Sequence, residues 1–359
     1  MHLILPVSGQ SSRYPGLRPK WMLTHPQGDL MLVEAFKGIN LAHVESIVVI
    51  CLRRHHEEYG VENMLIRQFE KINLKDKLKI AIIESSTSQP HTIYQGIKLL
   101  NITGPILVKD SDNFFKYTPK PGNAVCYLHL ADANIRTAAN KSYIMLNEMG
   151  SVVNIVEKRI ISDTFCVGGY SFSDALLFNA TFEKIGIRDD LYVSHIIYQM
   201  ILDGVSFRGS EVSGFLDWGT LNDWNDYRSR FCTLFIDLDG TLVKNSAEYF
   251  APFWGETEAI KENVHIINKI YDSGYGEIIV TTSRSQDSDE LTRRQLSQIG
   301  LKYHRILFSL FHGKRIVIND YSASNPYRSC DAINLARNSN ELASLLPSLF
   351  SLQQDSGNT

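Results

Sequence analysis

Hydrophobic and polar positions follow two rhythms along this chain, and the alternation restarts once. Between Leu3 and about Leu107, short apolar runs occur at 3–7 (LILPV), 46–51 (SIVVIC), 79–84 (KIAIIE) and 105–110 (PILVKD). Between them lie MLVEAFKGI, VENMLIRQF and TIYQGIKLL, whose apolar residues recur at helical spacing. The runs read as strands and the stretches between as helices, which implies a mostly parallel sheet covered on both faces. AVCYLHL, SYIMLN, VVNIVEK and FCVGGYSF then follow with no long helix between them, which predicts added, partly antiparallel strands. Helical spacing returns in SDALLFNATFEKI and LYVSHIIYQMILDG, and LDWGTLNDWNDYRSR is turn-rich and then helical.

At Phe231 a second strand–helix pattern begins. TLFIDL (233–238), EIIVTT (277–282), RILFSL (305–310) and KRIVIND (314–320) read as strands. SQDSDELTRRQLSQIG is an amphipathic helix with Ser285 or Asp287 as its cap and Gly300 at its end. The expectation is two α/β domains, 1–229 and 230–350, with a disordered tail at 351–359. The span from Val243 to Glu277 is too short for a large cap over the second domain.

Composition narrows the partners. The 359 residues are 44% hydrophobic and 21% charged, with a net charge of -3 and no long basic run, which argues against nucleic acid or an anionic membrane. Five cysteines (Cys51, Cys126, Cys166, Cys232, Cys330) are scattered singly, which fits a reducing cytoplasm better than a disulfide framework. The opening MHLILPVSG is too short for a signal peptide, and no run is long and apolar enough to span a bilayer. The sequence leaves a homo-oligomer open.

The stretch FIDLDGTLVKN carries the first chemistry. Asp237 at the carboxyl end of a parallel strand sits where such sheets bind ligands, and it can attack phosphorus to form an acyl phosphate. Asp239, two residues on, can protonate the leaving oxygen and then activate water. Two carboxylates facing a phosphoryl group need a counter-ion, and magnesium on oxygen ligands fits. Thr281, Thr282 and Ser283 end the next strand, and Thr282 is the preferred hydroxyl for a phosphate oxygen. Lys314 precedes the last strand and can neutralise the nucleophile–phosphate pair, while Asp320 ends it as a further metal ligand. This order resembles the haloacid dehalogenase-type phosphatase superfamily over residues 231 to 338, with one acidic residue at Asn319-Asp320 where that family often has two. The resemblance implies a capless Rossmann-like fold.

The amino-terminal stretch LILPVSGQSSRYPGLRPKWML feeds a strand into a loop of small residues, Ser8, Gly9, Ser11 and Ser12, with Gln10 among them. Small side chains let backbone N–H groups cradle phosphate, and Arg13 and Lys20 add charge for a triphosphate. The loop resembles that of the sugar-nucleotide pyrophosphorylases, with Ser8 and Ser11 in place of glycines. Further stretches match in order. Residues 88–94 (SQPHTIY) resemble the segment near the nucleobase, which implies nucleotide contacts from Gln89 and Thr92. Asp112-Asn-Phe-Phe resembles the metal-aspartate motif, with Ser111 for its glycine; either aspartate of DSD, Asp110 or Asp112, could take the metal, and Asp112 is preferred. NIVEK followed by CVGGYSF resembles the run near the sugar phosphate, with Arg159 in place of proline, and implies Glu157, Lys158 and Gly169 there. Phe215-Leu-Asp-Trp-Gly-Thr resembles the segment whose aspartate is the second magnesium ligand, here Asp217. His91, His195 and His312 are polar contacts at most.

The resemblance covers residues 1 to 228 and implies a Rossmann-like nucleotidyltransferase domain with a mixed sheet. The implied chemistry is in-line attack of a sugar or polyol phosphate on the α-phosphorus of an NTP, with magnesium and preplaced cations as the main resource. A phosphatase fused to it would act on the same class of phosphate ester, in nucleotide-sugar synthesis for a surface glycan. The alternative is that only one domain is catalytic and the other binds or regulates.

Overall fold

The computed structural model describes residues 1–9, 14, 16–133, 138–245, 254–320 and 329–346. Gln10, Ser11, Ser12 and Arg13 of the loop, and the tail at 351–359, lie outside the described residues. The chain divides into two compact units, Met1–Trp224 and Asn225–Thr359.

In the first unit, β1 (His2–Pro6), β2 (Ser46–Leu52), β3 (Leu78–Ile83) and β4 (Ile106–Lys109) lie side by side in the order β4-β1-β2-β3, all parallel. Between them run α1 (Met31–Phe36), α2 (Arg53–Tyr59), α3 (Val61–Lys71) and α4 (Gln89–Leu99). Every residue of β2, SIVVICL, is buried, as a parallel strand covered on both faces requires. Alternate residues divide between two cores. Ile4, Val48 and Ile50 pack with Ile93 and Ile97 of α4, while Leu3, Leu5, Ile47 and Val49 pack with Phe36 of α1 and Leu65 and Phe69 of α3.

Beyond β4 come β5 (Asn113–Lys116), β6 (Ala124–His129), β7 (Tyr143–Leu146), β8 (Val152–Val156) and β9 (Thr164–Phe172). β9 pairs antiparallel with β4, β6 and β7, so the sheet is mixed, as the unbroken series of strand-like segments predicts. Next are α5 (Ala175–Ile185), α6 (Val193–Leu202), β10 (Arg208–Glu211), β11 (Ser213–Asp217) and α7 (Leu221–Arg228). β10 extends the main sheet beside β6, and β11 forms a separate antiparallel pair with β5.

The second unit holds β12 (Cys232–Asp237), α8 (Lys261–Asp272), β13 (Gly276–Thr281), α9 (Asp289–Gln298), β14 (Arg305–Leu307) and α10 (Leu342–Leu345). β12, β13 and β14 form a parallel sheet in that order. One expectation is corrected here. Residues 314–320 form no strand, so Lys314 and Asp320 do not flank one. Ile316, Val317 and Ile318 are β-branched and read as strand, yet they are 74%, 59% and 91% exposed. Apolar pattern alone does not make a parallel strand, which needs a hydrogen-bonded neighbour and cover on its faces. RILFSL likewise contributes only Arg305–Leu307. Among the described residues no helix is long and apolar enough to cross a membrane.

Candidate active sites

The strand order of the first unit places its chemistry. β2 and β4 lie on opposite sides of β1, so the chain reverses direction across the sheet there and opens a crevice at the carboxyl ends of β1 and β4. Ser8 and Gly9 follow β1, and Asp110, Ser111 and Asp112 follow β4. They line a crevice of about 350 Å³ with Lys20 and the Ser86–Gln89 turn before α4. A hollow of about 540 Å³ on α3, around Arg67 and Lys71, contains none of the candidate residues.

The α4 turn is held by a helix cap and a cluster of hydroxyls. Ser88 caps the helix by accepting the His91 N–H at 3.3 Å, and proline stands in its first turn. Thr92 is buried and joins hydroxyls with Ser86 at 2.8 Å and with Ser8. A β-carbon on Gly9 would meet nothing within 4 Å, so its backbone faces open space. Gln89 donates to Asp110 Oδ1 at 2.6 Å. Burial, and then the charge of Asp112, push the Asp110 carboxyl up to about 6. Lys109 is fully buried, donates to the carbonyls of Asp110 and Asn113 at 2.8 and 2.9 Å, and is pushed down to about 8 by that burial.

Asp112 and Asp217 come together through the β5–β11 pair. Trp218 donates its N–H to the Asp112 carbonyl at 2.9 Å, and Asp217 pairs with Asn113 across the ladder. Asp217 Oδ1 accepts the Gly219 N–H at 3.0 Å, which orients the carboxylate. Each carboxylate carries a lysine: Lys20 on Asp112 and Lys141 on Asp217. Tyr14 spans the same region and donates to the carbonyl of Thr220 at 3.0 Å. Asp112 and Asp217 carry hard oxygen donors of the kind magnesium takes, so these residue types fit the expected ion. Of the DSD pair, Asp110 accepts from Gln89 and Asp112 from Lys20.

Glu157 and Lys158 follow β8. Glu157 accepts from Ser142 and from Ser194, the latter at 2.8 Å. Lys158 bonds to the Tyr192 hydroxyl, lies 4.3 Å from the centre of that ring and adopts a φ of 52°. Gly169 lies within β9, where a β-carbon would come within 2.7 Å of the Phe115 ring and 3.0 Å of Cys126. Its neighbour Gly168 has a φ of +79°, and a β-carbon there would stand 2.2 Å from Asp110 Oδ2. Glycine is required at Gly168 by Asp110 and at Gly169 by Phe115 and Cys126.

In the second unit, β12 ends at Asp237 and the Leu238–Val243 turn carries Asp239 and Gly240, whose φ is +94°. Arg284, 1% exposed, clamps Asp239 with Nη2 at 2.6 Å from Oδ1 and Nε at 2.9 Å from Oδ2. Arg284 also donates to Gln295 at 2.8 Å and Thr292 at 3.2 Å. Thr282 is buried and reaches Asp239 Oδ2 at 3.5 Å. Desolvation, and then the charge of Asp239, raise the Asp237 pKa, while Arg315 and Arg337 pull it back. Asp237 keeps solvent-facing surface, which limits the desolvation and leaves Asp239 as the neighbour that matters. Asp237, Asp239 and Thr282 therefore gather at one end of the sheet. Lys314 and Asp320 stay on the exposed segment, and neither hydrogen-bonds to Asp237 or Asp239.

Three contributors escape sequence reasoning. Lys141 sits in no motif, and only the need of two adjacent carboxylates for cations points to it. Arg284 had a visible signal, a basic residue directly after a strand-end Thr-Ser. Arg337 reaches the Gly240 turn from far along the chain, its Cγ 3.0 Å from where a glycine β-carbon would stand.

No protein-family model matches the chain, and no curated protein matches it in sequence. Solved structures match it in fold. A nucleoside-diphosphate-sugar pyrophosphorylase from Vibrio cholerae superposes with a TM-score of 0.51 at 18% identity, covering 63% of this chain and 98% of that one. An inositol-1-phosphate CTP transferase from T. maritima has a TM-score of 0.51 at 12% identity, covering 62% of this chain and 90% of its own. The chain therefore has the fold of these two proteins, over a share of its length about equal to that of Met1–Trp224.

Proposed function

We propose that residues 1–229 transfer a nucleotidyl group from an NTP to a small sugar or polyol phosphate, with magnesium as cofactor. The observation that carries this reading is the β5–β11 ladder, which sets Asp217 opposite Asn113 and so brings its backbone next to Asp112 at the β1–β4 crevice. An oxygen of the acceptor phosphate attacks the α-phosphorus, the bond from that phosphorus to the bridging oxygen breaks, and pyrophosphate leaves. Magnesium, when bound by Asp112 and Asp217, supplies positive charge to the non-bridging oxygens. Arg13 and Lys20 hold the triphosphate, and backbone N–H groups of the Ser8–Ser12 loop add donors. Gln89, which lines the crevice, would contact the nucleotide, whereas Thr92 is fully buried and supports the Ser8 and Ser86 hydroxyls from behind instead of touching the base. Lys158 neutralises the acceptor phosphate, with Glu157 and Gly169 shaping that end. Preplaced charge does most of the work, and no protein nucleophile is needed.

Residues 230–350, in the same proposal, form a haloacid dehalogenase-like unit that hydrolyses a phosphomonoester. Asp237 attacks phosphorus and releases the alcohol, Asp239 manages the proton, and water then hydrolyses the aspartyl phosphate. Thr282 offers a hydroxyl to the phosphoryl group. Linked in one chain, the two activities would pass a phosphate ester from one step to the next in the cytoplasm, as synthesis of a nucleotide sugar for capsule or lipopolysaccharide requires. A second reading makes only residues 1–229 catalytic. It draws on Arg284, because a carboxylate held by both oxygens to a buried guanidinium is a poor proton donor.

The experiment is a two-channel assay. Purified protein with magnesium meets each of CTP, GTP, UTP and dTTP with a panel of sugar, polyol and bisphosphate acceptors, and pyrophosphate and phosphate are read separately. Release of both, with phosphate alone lost in Asp237→Asn, supports two activities. Pyrophosphate without phosphate favours the second reading. Absence of pyrophosphate across the panel contradicts both.

A further inference from the structure

The two carboxylates assigned to magnesium each hold a lysine, Lys20 on Asp112 and Lys141 on Asp217. All four side chains are sheltered, 14% to 19% exposed, unlike solvated surface pairs. Within the Lys141–Asp217 pair the two charges offset one another. A divalent cation on Asp217 competes with the Lys141 ammonium for that carboxylate. Lys141 is then a sheltered cation that has given up its carboxylate, and a phosphate oxygen is the counter-charge the reaction brings. The reaction brings two anions, the triphosphate and the acceptor phosphate.

Lys20 already serves the triphosphate. Lys141 belongs to the other end of the site. Its carbonyl accepts the N–H of Lys158 at 3.1 Å, which sets the two residues opposite one another, the Lys158 ammonium on Tyr192 and the Lys141 ammonium on Asp217. The next residue, Ser142, donates to Glu157. The Lys141 ammonium lies 5.6 Å from the centre of the Phe215 ring, two residues before Asp217, a contact that steadies the cation without neutralising it.

We propose that Lys141 is a binding residue for the acceptor phosphate, parked on Asp217 until a divalent cation takes that carboxylate. This rests on the nucleotidyl-transfer reading of the same site. Metal and acceptor phosphate then bind cooperatively, each favouring the arrangement the other needs.

The test uses the full-length chain with Mn2+ as the metal probe, titrated without substrate and read by water-proton relaxation. Lys141→Met is expected to bind Mn2+ about fivefold tighter or better, because the cation no longer displaces an ammonium group. In the pyrophosphate assay the same variant should raise the acceptor KM about tenfold or more while the NTP KM moves less than about twofold. Tighter Mn2+ shows that the ammonium competes for Asp217, and the shift in acceptor KM separates a phosphate-binding lysine from a merely structural one. Lys141→Gln keeps a hydrogen bond to Asp217 without the charge and gives the same readings if the methionine variant folds poorly. Unchanged or weaker Mn2+ affinity in both variants overturns the exchange. Tighter Mn2+ with an unchanged acceptor KM overturns the acceptor role. A parent protein that releases no pyrophosphate sinks the transfer reading and the acceptor role with it, while the titration still decides the exchange.

Discussion

Trp218 donates its backbone N–H to the carbonyl of Asp112 at 2.9 Å, and that bond sets Asp217 beside Asp112 although 105 residues separate the two aspartates in sequence. Removing either charge while keeping the shape should abolish the metal site and spare the fold. Asp112→Asn and Asp217→Asn are each expected to lower the pyrophosphate rate at least about 100-fold. Their thermal melting should fall modestly and the fold should persist, because each sheltered lysine loses a charged partner but can still donate to an amide oxygen. Loss of activity with loss of folding would leave the aspartates as structural groups.

Gly168 predicts a local intolerance. A β-carbon there would stand 2.2 Å from Asp110 Oδ2 at a φ of +79°, so Gly168→Ala meets both a clash and backbone strain. Gly60 has a φ of +61° with nothing within 4 Å, so Gly60→Ala meets strain alone. Urea denaturation should show Gly168→Ala losing about 2 kcal/mol or more, and Gly60→Ala about 1. Equal losses would show that Asp110 moves freely out of the way.

Asp110 gives a pH dependence with a defined sign. Burial, then the charge of Asp112, raise its carboxyl from 3.8 to about 6. Between those values the folded state holds the proton more tightly than the unfolded chain. This group's contribution to stability is therefore greatest below about pH 4 and is lost as pH rises through about 6. Asp110→Asn removes the buried charge, so its melting temperature should exceed the parent's at pH 7.5, and the gap should shrink toward pH 4.5. A gap that widens on acidification would contradict the assignment.

In the second unit, Asp237 and Asp239 look alike in sequence and differ in surroundings. Asp239→Ala strands a 1%-exposed guanidinium and should destabilise that unit by about 3 kcal/mol or more. Asp237→Ala should cost less than about 1 kcal/mol, because Asp237 has surface in water and a like charge beside it. Denaturation followed through the second unit distinguishes the two.

The strands of the parallel half were legible because parallel strands buried on both faces, such as SIVVICL, are uninterrupted apolar runs. The run of strands after Gly122 was legible for the complementary reason, that no helical spacing separates them. β5, β10 and β11 were not read as strands, since they are short and part-polar and owe their form to pairing partners far along the chain. The same distance hid Lys141, which reaches Asp217 across 76 residues. Ile316–Ile318 misled in the other direction, because local pattern says nothing about whether a neighbouring strand edge receives it. Asp112 and Asp217 were named by motif, but their adjacency is a property of the β5–β11 register.

The most direct measurement is pyrophosphate release by the purified chain with magnesium, an NTP panel and sugar or polyol phosphates, run beside Asp217→Asn. The account predicts release that depends on both NTP and acceptor and is lost in the variant. Release that persists unchanged in Asp217→Asn, or none from the parent with any pair, would contradict it.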